Sequence, residues 1–161
     1  MKEKLSRFIL TKIMGWKFGK ILPDVLKCVL AVAPHTSNVD FIVGKLAYTS
    51  LGRTTQFLIK KSWFVFPFNL FFNSIGGIPI NRDKKTSVTD KLAEEFAKRD
   101  RFHLAITPEG TRKRVQEWKK GFYFIALKAQ VPIVLVALDY RRKTVSFLDT
   151  FHPTGDAEGD I

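Results

Sequence analysis

Two runs of the chain are apolar almost throughout, residues 102–107 (FHLAIT) and residues 131–138 (VPIVLVAL). Strands of a parallel sheet that is covered on both faces have this pattern, whereas a half-exposed strand alternates apolar and polar residues. Shorter β-rich runs alternate with helical patterns along the rest of the chain. We therefore predict an α/β fold, a single domain with a largely parallel central sheet flanked by helices.

The predicted elements follow from residue periodicity and from the positions of turn residues. The predicted strands are 28–33, 55–60, 77–80, 102–107, 132–139 and 144–148, and the predicted helices are 3–19, 38–50, 62–73, 87–99 and 116–129. The 161 residues are enough for one core, and no linker divides residues 1–161, so we expect one domain. No closing helix is expected after the last strand, so the chain either ends in a loop or is truncated before a terminal element.

The net charge of +12 implies an anionic partner, which could be phosphate, nucleic acid or an acidic membrane face. The aromatic block from Trp63 to Phe72 carries no charge and is bracketed by Lys60, Lys61 and Arg82. This pattern favours a lipid interface over nucleic acid, since nucleic-acid binders interleave rings with basic residues. Pro67 interrupts the uncharged stretch, so we exclude a membrane-spanning helix there.

Residues 3–19 have the spacing of an amphipathic helix, with Leu5, Phe8, Ile9, Ile13 and Trp16 on one face and lysines at its flanks. Within residues 1–20 this helix could lie on a membrane surface or pack on the domain. The single cysteine, Cys28, excludes an internal disulfide and fits a reducing compartment. Together these features predict a peripheral protein of the cytoplasmic face of the cell membrane.

His35 and Asp40 form an H-x4-D pair after the first long strand. A histidine can take up a proton near neutral pH, and a carboxylate beside it can fix its tautomer. The neighbouring Thr36 and Ser37 are not in a G-x-S-x-G elbow, so the base is expected to act on a hydroxyl of the substrate. The alternative is a simple turn before a helix, with Asp40 in the first helical turn and His35 on the surface.

Three polar clusters follow predicted strands: His35 after 28–33, Asn81–Arg82 after 77–80, and residues 107–112 (TPEGTR) after 102–107. Ligands of parallel α/β sheets bind at the carboxyl ends of the strands, so these clusters are expected to converge on one site.

Four motifs in order, HTSNVD (35–40), GGIPINR (76–82), PEGTR (108–112) and VPIV (131–134), resemble those of the glycerolipid acyltransferase family. The most similar members are 1-acylglycerol-3-phosphate (lysophosphatidic acid) acyltransferases. The resemblance implies a glycerol-3-phosphate acyltransferase-like fold and an acyl thioester donor, acyl-CoA or acyl-ACP, with no other cofactor. It also implies a lysophospholipid acceptor, most simply 1-acylglycerol 3-phosphate acylated to phosphatidic acid in phospholipid biosynthesis.

The resemblance also implies roles for individual residues. His35 would be the general base, Asp40 its orienting carboxylate, and Arg82 the holder of the acceptor phosphate, with Asn81 standing where many relatives have an acid. In the PEGTR motif, Glu109 would bond an acceptor hydroxyl or lock Arg82 or Arg112, and Gly110 would allow close backbone approach. Thr111 and Arg112 would extend the anion site. Pro132 would lie near the acyl donor, and Lys119 and Lys120 would meet donor phosphates or headgroups.

Other readings stay open at this point. The acceptor could instead be glycerol 3-phosphate, another lysolipid or an amino-acid lipid, and a non-catalytic lipid-binding protein of the membrane surface could keep the same fold. A nucleic-acid binder is disfavoured because rings and basic residues do not alternate. No metal is implied, since His35 and Asp40 have no His or Cys cluster at ligand spacing, and His103 and His152 are interpreted as structural.

Overall fold

A computed structural model describes the backbone of residues 1–81 and 85–161, and the side chains of residues 1–81 and 88–161. The described strands are β1 (Lys17–Phe18), β2 (Lys27–Ala33), β3 (Gln56–Lys60), β4 (Gly77–Ile80), β5 (Phe102–Ile106), β6 (Ile133–Asp139) and β7 (Thr144–Phe151). The described α-helices are α1 (Lys2–Phe8), α2 (Val39–Ser50), α3 (Phe68–Ser74), α4 (Lys85–Lys98), α5 (Gly121–Ala129) and α6 (Ala157–Asp160).

The strands form one sheet in the order β1-β7-β6-β2-β5-β3-β4. All neighbouring pairs are parallel except β6 and β7, which are antiparallel. β2 is central, with β6 on one side, where Ala33 pairs with Ala137, and β5 on the other. The predicted α/β fold with a largely parallel sheet is therefore confirmed.

The sheet is covered on both faces, as its apolar strands predicted. Alternate residues of β2 enter different cores: Cys28 and Leu30 pack towards α1 and α2, whereas Val29 and Ala31 pack towards α4 and α5. Alternate residues of β6 enter the same two cores. Because neither face of these strands meets water, apolar residues are required at consecutive positions.

The N-terminal helix is shorter than the predicted 3–19. α1 passes into a π-helical turn at Ile9–Ile13, and Gly15 then adopts a positive φ of 73° that ends the helix. Trp16 turns into the core, where it is 4% exposed. The side chains of Leu5 and Phe8 in α1 and of Ile13 in the π-helical turn stay exposed, because this segment packs on α2 through its other side, which includes the buried Leu10 of the turn.

The predicted helix 62–73 was also wrong in extent. A 3₁₀ turn at Lys61–Trp63 is followed by the short α3, whose N-cap is Pro67. Proline has no amide hydrogen, so a continuous helix through this position would lose a hydrogen bond. Among the described residues, no helix is long and apolar enough to cross a membrane.

Two further boundaries differ from prediction. α5 begins at Gly121 and not at residue 116. The Lys119 amide donates to the Pro108 carbonyl at 2.8 Å, which ties the loop before α5 to the end of β5. A closing turn of helix, α6, follows β7 where none was expected. It is capped by Asp156, whose carboxylate accepts from the amides of Glu158 and Gly159.

Candidate active site

Three loops meet at the carboxyl end of the sheet. The loop from Pro34 to Asn38 joins β2 to α2, and residues 107–112 follow β5. Tyr140 follows β6 on the other side of β2. Because β5, β2 and β6 are parallel neighbours, their ends bring these loops side by side.

His35 and Asp40 are in contact. The Nδ1 atom of His35 lies 3.1 Å from Oδ2 of Asp40, whose side chain is almost fully buried. A carboxylate can only accept, so Nδ1 must carry the hydrogen, and in the neutral ring Nε2 then has the free lone pair. His35 lines the cavity described below, so this arrangement presents a base to a bound molecule.

Asp40 is held by donors on both oxygens. The Ser37 amide donates to Oδ2 at 2.8 Å and the Thr36 amide donates to the same atom, while the Tyr140 hydroxyl donates to Oδ1. Burial is the largest single influence and raises the pKa of Asp40, but the hydrogen bonds from Tyr140, Ser37, Thr36 and His35 together lower that pKa below its usual value. Asp40 is therefore ionised at neutral pH.

Glu109 holds the backbone of the catalytic loop. Its Oε2 atom accepts a hydrogen bond of 3.0 Å from the His35 amide. This contact with the main chain of His35 was not predicted, because a backbone partner is not visible in a sequence motif. Arg112 bonds to Asn38 and not to Glu109, while the predicted bond of Glu109 to an acceptor hydroxyl or to Arg82 stays a prediction.

The rest of the PEGTR loop also packs on its neighbours. Arg112 donates through Nη2 to Oδ1 of Asn38, which links this loop to the one that carries His35. Gly110 has a positive φ of 63°, and a Cβ there would lie 2.8 Å from Cδ of Lys119. The positive φ favours glycine at this position, whereas the flexible Lys119 side chain could move aside for a Cβ.

A cavity of about 640 Å³ opens beside this pair of loops. His35, Asp40, Thr111, Arg112 and Lys119 lie at its entrance, at the carboxyl end of the sheet. Its walls are mostly apolar and run between α2 and the sheet towards the amino end of β3. The lining residues include Leu30, Val32, Ala47, Tyr48, Thr55, Val136 and Phe147. Its size is within the range of small-molecule sites.

A further charged side chain, Lys45 of α2, also lines this cavity. It donates through Nζ to the Thr55 carbonyl at 3.0 Å, and burial lowers its pKa. Neither Lys45 nor Tyr140 was predicted from the sequence. The position of Tyr140 directly after a core strand was the signal that could have identified it, since the other site residues follow strands in the same way.

Several predicted site residues lie elsewhere. Pro132 precedes β6 and lies at the amino ends of the central strands, opposite to the end where His35 lies. Its carbonyl accepts from the Val29 amide. Lys120 pairs with Glu158, so Lys119 and not Lys120 reaches the cavity. Asn81 borders a separate groove of about 360 Å³ between β4 and α4. Arg82 lies outside the described residues.

The buried polar groups beneath the site are structural. His103 is 1% exposed, with Nδ1 against the Tyr48 hydroxyl at 2.7 Å and Nε2 at 2.5 Å from the Val25 carbonyl. Burial raises the pKa of the Cys28 thiol to about 12, so Cys28 is an inert core residue. No group of three or more His, Cys, Asp or Glu side chains in the described part of the chain could hold a metal ion.

The fold and site define an α/β protein with a His–Asp pair at the carboxyl end of a parallel sheet, above an apolar cavity. The sequence model of the Acyltransferase family matches residues 22–139, which include β2 to β6 and the loops that carry His35 and Glu109. The chain therefore belongs to the acyltransferase family.

Individual relatives agree with this assignment. The chain is 29% identical over 126 residues to the 1-acyl-sn-glycerol-3-phosphate acyltransferase of Saccharomyces cerevisiae, covering 73% of this chain and 40% of that protein. It is 31% identical over 120 residues to the human 1-acyl-sn-glycerol-3-phosphate acyltransferase beta, covering 71% of this chain and 42% of that protein. The chain thus spans about two fifths of the length of these curated relatives.

A solved structure shares the fold. The crystal structure of the 1-acyl-sn-glycerophosphate (LPA) acyltransferase PlsC from Thermotoga maritima superposes with a TM-score of 0.67. The match covers 97% of this chain and 69% of that one, at 16% sequence identity.

Proposed function

We propose that this chain transfers a fatty acyl group from an acyl thioester to the hydroxyl of a lysophospholipid, with 1-acylglycerol 3-phosphate as the acceptor and phosphatidic acid as the product. The observation that carries the proposal is the His35–Asp40 pair at the entrance of a deep apolar cavity. The names of the relatives favour this acceptor. The apolar interior fits a hydrocarbon chain, and the entrance fits polar reacting groups.

The reaction follows from the protonation state of the pair. Nε2 of His35 takes the proton of the acceptor hydroxyl as its oxygen attacks the thioester carbonyl carbon. Asp40 stabilises the resulting imidazolium through Nδ1. The carbon–sulfur bond then breaks, and the proton passes from Nε2 to the leaving thiolate, so that the products are an ester and a free thiol.

The cations at the entrance suit a phosphate group. Arg112 and Lys119 both line the cavity beside His35, and a guanidinium offers several donors to phosphate oxygens. We assign them to the acceptor phosphate or to the phosphates of acyl-CoA. Arg82 keeps the acceptor-phosphate role proposed from the sequence.

A thiol-release assay tests the proposed function directly. Purified protein is given acyl-CoA or acyl-ACP with a panel of acceptors that includes 1-acylglycerol 3-phosphate, glycerol 3-phosphate and a neutral lysolipid, and the lipid product is identified by mass spectrometry. We expect thiol release that depends on 1-acylglycerol 3-phosphate and yields phosphatidic acid. Release with another acceptor only would refute the substrate assignment, and no release with any pair would refute the activity.

Glu109 provides a sharper test of the site. Replacing Glu109 with Ala leaves the His35 amide without its acceptor, and an unpaired amide costs about 1–3 kcal/mol. We expect kcat to fall about tenfold or more, because the loop carrying the base loses its anchor. Glu109→Gln is the matched control, since its amide oxygen can still accept from His35. Equal losses in both variants would show that the negative charge matters and not the backbone contact.

We also propose that the protein binds the cytoplasmic face of the membrane through the side of the sheet covered by α1, α2 and α3. Exposed apolar side chains lie on all three helices and on the segment before α3: Leu5, Phe8, Ile13, Phe41, Ile42, Trp63, Phe66, Phe68 and Phe71. Phe41 of α2 packs against Phe57 of β3, with ring centroids 4.3 Å apart and an interplanar angle of 58°, which connects α2 to this part of the sheet. Lys60 and Lys61 flank the rings and suit anionic headgroups.

Vesicle sedimentation tests this surface. The double variant Phe66→Ser, Phe71→Ser removes two exposed rings, of which Phe66 is 81% exposed, and we expect vesicle binding to fall several-fold. Wild-type binding should increase with anionic lipid and weaken with salt, because each nearby Lys or Arg contributes about 1 kcal/mol. Phe124→Ser is the control, since Phe124 is exposed on α5 at the other face of the sheet. An equal loss in the control would contradict a defined membrane face.

A further inference from the structure

Tyr140 contacts the catalytic pair from the side opposite to Glu109. It follows β6 directly, and its hydroxyl donates to Oδ1 of Asp40, whereas His35 is bound to Oδ2. The pairing of Ala33 with Ala137 sets the two strand ends side by side, which brings Tyr140 to Asp40 across a sequence separation of 100 residues.

The direction of this hydrogen bond is fixed by protonation. Burial, and then the bond to Asp40, raises the pKa of the Tyr140 hydroxyl, so it keeps its proton at neutral pH. Asp40 is ionised and can only accept. Tyr140 is therefore a donor to the carboxylate oxygen that faces away from the imidazole.

The ring of Tyr140 is held by the N-terminal segment. The indole of Trp16 packs edge-on against it, with ring centroids 5.0 Å apart and an interplanar angle of 84°. Trp16 is buried, and the next residue donates from its amide to the Lys143 carbonyl at 2.7 Å. The turn that carries Tyr140 is thus fastened to residues 16–17.

We propose that Tyr140 is a positioning residue of the acyl-transfer reaction, which holds the Asp40 carboxylate oriented towards His35 while Trp16 holds the Tyr140 ring. The inference rests on the proposed function, because it assigns Tyr140 to the same His35–Asp40 pair. No substrate contact is required of Tyr140: it acts through Asp40.

The hydrogen bond also sets how readily the pair takes up a proton. A donor at Oδ1 withdraws negative charge from the carboxylate, so its removal leaves Asp40 a stronger base and a stronger partner for a protonated imidazole. The other titratable and charged groups around the pair are Glu109 after β5, and Arg112 and Lys119 at the cavity entrance. None of these is changed by removing the hydroxyl of Tyr140.

The test compares two Tyr→Phe variants in the same thiol-release assay. Tyr140→Phe keeps the ring against Trp16 but removes the donor to Asp40. Tyr123→Phe is the matched control, since the Tyr123 hydroxyl donates to another carboxylate, Asp160, at 2.7 Å and lies outside the cavity lining. Wild-type turnover in the same assay shows that the proposed function holds, independently of either variant.

For Tyr140→Phe we expect kcat to fall about tenfold with KM within about twofold, since a hydrogen bond to a charged group is lost and no substrate contact is. The acidic limb of its pH–rate profile should move to higher pH. Tyr123→Phe should keep the wild-type profile. The proposal is overturned if Tyr140→Phe keeps kcat and profile, or if the control shows the same loss and shift.

Trp16→Leu separates the two parts of the proposal. It keeps the Tyr140 hydroxyl and removes the ring that packs against it. We expect a smaller fall in kcat than for Tyr140→Phe, with the pH–rate profile moved in the same direction. A folded Trp16→Leu variant with wild-type kcat would show that Tyr140 does not depend on Trp16.

Discussion

Replacing His35 with Ala is expected to lower acyl transfer by about 10²–10⁴-fold, because general base catalysis contributes on that order. Nε2 of His35 is the basic nitrogen at the cavity entrance, and its partner Asp40 cannot replace it, since both carboxylate oxygens are occupied by donors. Turnover is measured by thiol release, and circular dichroism checks that the fold is retained. The residue lies in a loop and not in the core, so unfolding is not expected.

His152→Ala is the control for this experiment. His152 is exposed and lies after β7, outside the cavity lining. His152→Ala should retain wild-type turnover. A loss of activity in His35→Ala is then specific to the imidazole at position 35. Near-wild-type turnover by the His35→Ala variant would contradict the mechanism.

Asp40→Asn is expected to lower turnover by about 10²-fold, less than the roughly 10⁴-fold seen when the histidine tautomer is wrong. Two backbone amides, those of Thr36 and Ser37, point at Oδ2, so the amide oxygen of the new side chain must face them. That oxygen still accepts from Nδ1 of His35, and the correct tautomer survives. The loss then reflects the missing negative charge.

The pH–rate profile distinguishes the loss of charge from a wrong tautomer. With the tautomer retained, the maximal rate should fall and the acidic limb should move to lower pH, because the imidazolium has lost its anionic partner. A fall of about 10⁴-fold would show that the amide is flipped, so that its NH2 group faces Nδ1 of His35 and the Tyr140 and Thr36 hydroxyls donate to its oxygen. Turnover within about twofold of wild type would show that the charge of Asp40 is not used.

The same carboxylate makes stability depend on pH. Hydrogen bonds hold the pKa of Asp40 below its usual value despite burial, so the folded state binds this proton less readily than the unfolded chain does. The stabilising effect of the charge is complete above the unfolded pKa and disappears as the pH falls through the folded pKa. The difference in unfolding free energy between wild type and Asp40→Asn should therefore shrink in acid, as measured by urea denaturation.

The central part of the fold could be read from the sequence because it depends on periodicity. Consecutive apolar residues in β5 and β6 are required by burial on both faces, and the predicted strands lie within a few residues of those observed. The elements that were wrong depend on tertiary contacts or on single residues. Gly15 ends the N-terminal helix by its positive φ, and the Lys119 amide bonds to Pro108 instead of entering α5.

The candidate site likewise contains residues that a local pattern identifies and residues that only tertiary contacts identify. His35, Asp40 and Glu109 were found because motif residues at strand ends converge in a parallel sheet. Tyr140 was not predicted: it follows a core strand as they do, but its contact with Asp40 depends on the register between β2 and β6, which a local pattern does not encode. Pro132 lies at the amino end of β6 and Lys120 pairs with Glu158, both away from His35, because proximity in sequence to a motif does not determine which end of a strand or which side of a helix a residue occupies.

The central position of β2 makes Cys28 a probe for local opening of the fold. Cys28 is the second residue of β2, has no exposed surface and is the sole thiol in the chain. Its side chain packs in the core beneath the N-terminal segment and α2, so a thiol reagent can reach it only when this face of the sheet is uncovered, and the alkylation rate measures that opening. Comparing that rate with amide exchange in α1 would show whether the N-terminal helix detaches while the core beneath it stays closed.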